Sequence, residues 1–241
     1  MTQQTHPRHV VITGGSSGIG RATATAFAAA GDRLLILSRN PGDPLPGLVR
    51  HRSVDVRDGD ALREVLSQEQ EEFGPIDILI NNAGVMPLGR IDTQDPAEWE
   101  QVFSINALAI LHASQAVLPE MIVAGSGTIV TVSSIAGRGV FANHTAYSGT
   151  KFAAHAMMES MRREYAADGI RFTTVAPGIV DTNLLSSVSD PAIVAGYQVG
   201  KDRLDGGLKP EDVAEAIFAA CALPQRVCVR EIVIAATGQE S

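Results

Sequence analysis

Short runs of β-branched and aliphatic residues alternate along this chain with longer stretches in which apolar residues recur every three or four positions. The runs lie at 9–13, 33–38, 51–56, 76–81, 127–133, 171–176 and 231–234. They are short for helices, and most are continuously apolar, which predicts strands covered on both faces. The longer stretches, at 17–30, 58–73, 96–124, 145–168 and 210–222, have helical spacing, and Pro96 and Pro210 stand where a first turn accepts proline. Strand and helix in regular alternation predict an α/β fold: a doubly wound, seven-stranded parallel sheet with helices on both sides. Two segments break the rhythm. Residues 39–49 contain Pro41, Pro44 and Pro46, so a loop is expected there instead of a crossover helix. Residues 180–208 mix apolar side chains with Gly, Asp and Ser and read as an irregular lid-like loop.

At 241 residues the chain is expected to form a single domain spanning 1–241. The formal net charge of −8 gives phosphate backbones and anionic lipid nothing to attract, so neither nucleic acid nor a membrane is an expected partner. The first ten residues are polar, with two histidines and a proline, and do not read as a signal peptide. Cys221 and Cys228 fit neither a disulfide framework nor a zinc pattern. A cytoplasmic protein without a metal site is therefore expected.

The first candidate chemistry follows the first strand, where Gly14, Gly15, Ser16, Ser17, Gly18, Ile19 and Gly20 lead directly into a helix. Glycines let the backbone approach a pyrophosphate, and the helix N-terminus offers unpaired N–H groups with a partial positive charge. The second strand ends in Ser38 and Arg39, where dinucleotide folds that prefer NAD place an acid for the ribose 2′-hydroxyl. A hydroxyl and a guanidinium instead suit a 2′-phosphate, so NADP(H) is favoured, with NAD(H) as the alternative.

Tyr147 and Lys151 stand four apart in a predicted helix and so share a face. With three tyrosines and only three lysines in the chain, chance supplies roughly 0.04 such pairs. An ammonium about 4 Å from a phenol would lower its pKa toward the range useful for proton transfer to and from an alcohol. Tyr147 is thus the candidate general acid/base.

In order and spacing, the glycine turn at 13–20, Asn81-Asn82-Ala83-Gly84, Asn106, Ser134, the Tyr147/Lys151 pair, and Pro177-Gly178 with Thr182 resemble the short-chain dehydrogenase/reductase family, over nearly the whole chain. The resemblance implies a Rossmann fold and an oxidoreductase that interconverts a small alcohol or hydroxy acid with its aldehyde or ketone. It implies that Ser134 holds the substrate oxygen beside Tyr147, that Lys151 holds the nicotinamide ribose, and that Asn106 anchors a water in a proton relay. Asp55 and Val56 would meet the adenine. Asn82, Ala83 and Gly84 would line the adenosine-ribose side, and Val180 and Thr182 would meet the carboxamide. Ser133 is the weaker alternative to Ser134. Pocket candidates are Met86, Pro87, Leu88, Ile135, Arg138, Val140, His144 and the 184–197 loop. Arg138 reads either as a carboxylate binder or, preferably, as a plain exposed arginine; His144 reads preferably as a rim residue. Trp99, Met157 and Met158 read as packing, and the acidic 69–72 stretch as a solvated face.

The last third is similar to a bacterial subgroup with NADP-dependent 3-hydroxy acid (serine-type) dehydrogenases and an antibiotic-pathway (clavulanate) aldehyde reductase. Such proteins imply a homotetramer, or a homodimer, paired through two long helices; Ala107, Ala109, Ala113, Ala153, Ala154 and Ala156 would allow close approach or else face the sheet. Two other readings of the scaffold are a non-catalytic NADP(H)-sensing protein and a cofactor-free lyase or dehalogenase. The glycine turn and Lys151 speak against the second.

Overall fold

Seven parallel strands form one sheet in the computed structural model, which describes residues 6–240; the first five residues of the polar N-terminal stretch lie outside the described residues. In chain order the strands are β1 (His9–Thr13), β2 (Arg33–Ser38), β3 (Val49–Ser53), β4 (Ile78–Asn81), β5 (Gly127–Val132), β6 (Ile170–Pro177) and β7 (Glu231–Ile234). Their spatial order is β3-β2-β1-β4-β5-β6-β7, so the chain reverses its direction of winding between β1 and β4. A crevice opens at such a reversal, at the C-terminal ends of the strands.

The helices are α1 (Gly18–Ala29), α2 (Gly59–Phe73), α3 (Pro96–Phe103), α4 (Ala109–Ala124), α5 (Thr145–Glu164), α6 (Pro191–Asp202) and α7 (Pro210–Ala222). They cover both faces of the sheet. One face packs Val11, Leu35, Leu79 and Ile129 against Leu62 and Leu66 of α2, Val117 and Met121 of α4 and Met158 of α5. The other packs Val10, Ile12, Ile36 and Ile80 against Phe27 of α1 and Val213 and Ile217 of α7. Consecutive strand residues thus serve opposite cores, which is why the runs are apolar throughout.

Several boundaries differ from the sequence reading. β3 starts at Val49 because it pairs with β2 from Leu34↔Val49 to Ser38↔Ser53; Val54 and Val56 lie past its end, buried. The helix expected at 96–124 is interrupted by a wider turn, Ser104–Leu108, in which the Ala109 N–H bonds back to the Ser104 carbonyl. This is also the one helical stretch among the described residues with the length and apolarity of a membrane span. Its inward residues Ile110, Ala113, Val117 and Leu118 are built into the core. The 180–208 segment is less irregular than expected. The Asp190 carboxylate caps Ala192 N–H at 2.8 Å and Pro191 starts α6, whose two glycines had masked the helix. A bridge between Val180 and Leu208 closes this segment at its base.

The acidic 69–72 stretch is not uniformly solvated. Glu69 follows Leu62 and Leu66 on the inward face of α2, is 4% exposed, and meets His9 Nε2 and Arg50 Nη1 at 3.3 Å each. A second buried ion pair joins the start of β1 to the α1–β2 turn. Arg8 Nε donates to Asp32 Oδ1 at 3.0 Å and Nη2 to Oδ2 at 2.5 Å, while the guanidinium lies 5.0 Å from the Phe27 ring and 5.4 Å from that of Phe218. Asp32→Ala would leave that guanidinium unpaired among aromatic rings. The expected cost is about 3–5 kcal/mol, read as a lower midpoint in urea unfolding with unchanged slope.

Candidate active site

A cleft of about 450 Å³ lies across the switch point. Of the sequence-predicted residues, Gly14, Ser16, Ser17, Gly18, Ile19, Ser38, Arg39, Asp55, Val56, Asn82, Ala83, Gly84, Ser134, Tyr147, Lys151, Pro177, Gly178, Val180 and Thr182 all line it. Gly20 and Asn106 stand behind the wall.

The glycine turn is held from beneath. Asn82 Nδ2 donates to the carbonyls of Thr13 (3.1 Å) and Gly14 (3.0 Å), and the N–H groups of Asn82 and Ala83 both donate to Thr13 Oγ1 at 3.1 Å. A Cβ at Gly20 would come within 2.3 Å of both Asn82 Nδ2 and the Gly14 carbonyl, so this glycine serves the packing of the turn. Gly18 has φ +51° and faces the Thr182 methyl group, a position L side chains rarely adopt. At the α1 N-terminus Ser17 makes no side-chain cap and the first turn holds no acid, so its N–H groups face the cleft unneutralised. That is the environment an anionic diphosphate needs.

At the end of the cleft bordered by β2 and β3, Arg39 is exposed, whereas the Ser38 hydroxyl is engaged: it donates to the Asn40 carbonyl at 2.6 Å and lies 3.0 Å from His51 Nε2. Asp55 is gripped by Arg57 through three side-chain bonds of 2.6–3.0 Å, and this hydrogen bonding holds its carboxyl below the ordinary range. Arg57 and His51 were not singled out from the sequence; His51 becomes visible only once β3 is paired to β2, whereas Arg57 grips a carboxylate two positions before it.

At the other end, the β5 strand leads into Ser133 and Ser134. Ser133 is buried and donates to the Lys151 carbonyl, so it is the structural member of the pair. Ser134 caps a short turn, accepting from Ala136 N–H at 3.1 Å, and its hydroxyl faces Tyr147. Tyr147 and Lys151 do share a face of α5, and both are buried. The expected direct coupling between them is not what the geometry gives. Lys151 Nζ donates to the Val132 carbonyl at 3.1 Å and sits 5.6 Å from the centre of the Tyr147 ring. Burial dominates both groups. It pushes Tyr147 well above the ordinary phenol range, an effect partly offset by Ser134, and lowers Lys151 to about 8. Asn106 sits in the wide turn after α3 and clamps the backbone of Val85: Oδ1 accepts from its N–H at 3.0 Å and Nδ2 donates to its carbonyl at 2.9 Å. A Cβ built on Gly84 would lie 3.4 Å from Asn106 Oδ1 and 3.9 Å from Lys151 Nζ, so the two polar groups converge on one glycine.

The substrate candidates divide. Met86 and the 184–187 turn line the cleft; Leu88 and His144 line an adjoining groove. Arg138 is outside both and pairs with Glu231 Oε2 at 2.6 Å. Pro87, Ile135 and Val140 line neither cavity. Tyr197 and Lys201 from the unforeseen α6 do reach the cleft, Lys201 paired with Asp181. Trp99 donates to Gln94 Oε1, and Met157 and Met158 belong to the core. Of the six alanines, Ala107, Ala109, Ala113 and Ala154 are buried, Ala153 is half-buried and Ala156 is exposed.

A model of the short chain dehydrogenase family matches residues 8–192. An uncharacterised oxidoreductase of Staphylococcus aureus is 34% identical over 232 residues, covering 93% of this chain and 95% of that protein. Among solved structures, an alcohol dehydrogenase from the archaeon Thermococcus sibiricus, complexed with 5-hydroxy-NADP, superposes with a TM-score of 0.83 at 26% identity, covering 98% of this chain and 99% of that one. Serine dehydrogenase from Escherichia coli shares the fold, with a TM-score of 0.82 at 24% identity and coverage of 97% and 100%. Matched over most of its length by the family model and carrying the glycine turn, Ser134, Tyr147 and Lys151 on one cleft, the chain is an oxidoreductase of the short-chain dehydrogenase/reductase family.

Proposed function

We propose that this protein is an NADP(H)-dependent carbonyl reductase, acting reversibly on a small aldehyde or ketone and its alcohol. One observation carries the reading: Ser134, Tyr147 and Lys151 meet at one end of a cleft whose other end holds an uncapped helix N-terminus and Arg39. The cleft suits an extended dinucleotide, with the diphosphate at 16–19, the adenosine between Asp55 and Asn82, and the nicotinamide near Lys151 and Thr182. When bound, the nicotinamide supplies the hydride in reduction and accepts it in oxidation. The protein's own part is positioning and proton transfer. The Ser134 hydroxyl holds the substrate oxygen; the Tyr147 Oη delivers a proton to that oxygen as the carbonyl is reduced. A phenol kept protonated by burial is in the state reduction requires. Lys151, lowered to about 8 by burial, holds the ribose hydroxyls, with Asn106 and Val85 fixing the backbone beside it.

Arg39 reads the 2′-phosphate; Ser38 and His51 shape the turn that presents it, and NAD(H) would be the weaker cofactor. The T. sibiricus relative, complexed with 5-hydroxy-NADP, supports this choice. A homotetramer in the cytoplasm is the assembly we propose, with Phe103, Leu108, Leu111 and Phe152 exposed on the two long helices as its pairing surface. The rival, an NADP(H)-sensing protein without turnover, is separated by mixing protein and NADPH with aldehydes and ketones: bound cofactor with no loss of NADPH absorbance on any of them would favour the sensor.

Three measurements follow. Tyr147→Phe should lower kcat at least about a hundredfold while NADPH binding stays within a few-fold, by stopped-flow and fluorescence titration. Ser38→Asp should move the NADPH/NADH ratio of kcat/KM at least about tenfold toward NADH, because a carboxylate there opposes a phosphate; an unmoved ratio would place phosphate reading elsewhere. NADPH affinity should weaken as pH rises through about 8, where Lys151 loses its charge, and Lys151→Met should lose that step.

A further inference from the structure

The carbonyl-reductase reading leaves the substrate open, and both hydroxy acids and neutral carbonyl compounds would satisfy the proton-transfer chemistry. The catalytic end of the cleft distinguishes them. Around Tyr147 the wall is an apolar cluster containing Met86, Leu184, Leu185 and Tyr197, with Leu88 and Ile193 behind it. A carboxylate entering such a wall loses its water and needs a cation in return. The cationic side chains among the described cleft-lining residues are otherwise engaged or distant. Arg39 and Arg57 belong to the adenosine end, Lys151 donates to the Val132 carbonyl, and Lys201 is paired with Asp181. Arg138, the one arginine the sequence offered as a carboxylate binder, is drawn away by Glu231 at 2.6 Å.

Tyr197 also lines a second, shallower groove with Leu88, Ala142, His144, Ile193 and Gly196. Because one ring forms a wall of both spaces, the groove continues the site outward along α6. Burial lowers its His144 below the ordinary imidazole value, which favours the neutral ring.

The geometry points to an uncharged carbonyl compound with an apolar tail as the substrate, its reacting oxygen at Ser134 and Tyr147 and its tail passing Tyr197 into the groove beneath α6. This assignment rests on the carbonyl-reductase reading. Tyr197 and Gly196 become the residues that set chain-length preference, and acids of the serine type are excluded.

The test is NADPH-dependent reduction of matched pairs by the intact protein: butanal against succinate semialdehyde, and hexanal against adipate semialdehyde. The neutral member of each pair should have a kcat/KM at least about tenfold higher. Equal or faster turnover of the carboxylates would overturn the substrate assignment and leave the reductase reading standing. Turnover of neither, in a protein that binds NADPH, would overturn the reductase reading and this assignment with it. The tail's path is tested by Gly196→Leu. A Cβ at this groove-lining position meets nothing within 4 Å, so leucine enters without a clash and narrows the groove, and it favours the helix. In that variant kcat/KM for decanal should fall at least about fivefold while butanal stays within about twofold. A decanal rate that does not change relative to butanal would remove the groove from the substrate's path.

Discussion

An ammonium group held out of water at the C-terminal edge of the sheet is the constraint around which this site is organised. Lys151 is 7% exposed, and its Nζ has the end of β5 as its hydrogen-bonding partner through the Val132 carbonyl. Burial lowers it from an ordinary 10.5 to about 8. The unfolded chain therefore binds the proton more tightly than the native one, and the fold carries a deficit of about 3 kcal/mol below pH 8 that is relieved as pH rises toward the ordinary lysine range. A side chain kept at that expense needs rigid surroundings. Asn106 clamps Val85, Thr150 Oγ1 donates to the Tyr147 carbonyl, and Ser133 donates to the Lys151 carbonyl. Each bond fixes backbone next to the buried cation.

The cleft is electrically divided as a result. Toward the ends of β2 and β3, Arg39 and Arg57 lie at an open, half-solvated edge, where charge is cheap to hold and easy to offer to an anion. Toward Tyr147, side chains from the 85–88 loop, the 184–188 turn and α6 converge as an apolar wall. The segment between β6 and α7 builds much of that wall. It is pinned by Ser187, whose Oγ accepts from Met86 N–H at 2.9 Å, and by Ser189, which donates to Glu98 at 3.2 Å. These contacts join residues about a hundred positions apart, so the wall exists only after the sheet has brought β4 and β6 to either side of β5.

That long-range character decides what could be read from the sequence. The strands, the glycine turn, the Tyr147/Lys151 face and the proline-rich loop expected at 39–49 are local, set by periodicity and by residues with narrow backbone preferences. They appear in the structure where they were expected, apart from shifts such as the earlier start of β3. What was not legible depends on partners far away in the chain. Glu69 looked like part of a solvated face because the sequence does not show His9 and Arg50 arriving against it. Arg138 looked free because Glu231 lies 93 positions away. The influence of Lys151 on Tyr147 was judged from their spacing along one helix, whereas the strand-end carbonyl that captures the ammonium belongs to β5. Helix α6 was hidden by Gly196 and Gly200, although Asp190 and Pro191 are a legible start signal once given weight.

The wide turn at Ser104–Leu108 amounts to a single surplus residue within an otherwise continuous helical rod. Closing those five residues into regular α-helix without removing one would rotate everything beyond them by roughly 100°, one residue's worth of helix. Ile110, Ala113 and Val117 would swing off the sheet together, and Asn106 would leave its grip on Val85. By swallowing one residue locally, the turn lets the apolar stripe of the second half keep facing the sheet while it tips Asn106 toward the Val85 backbone.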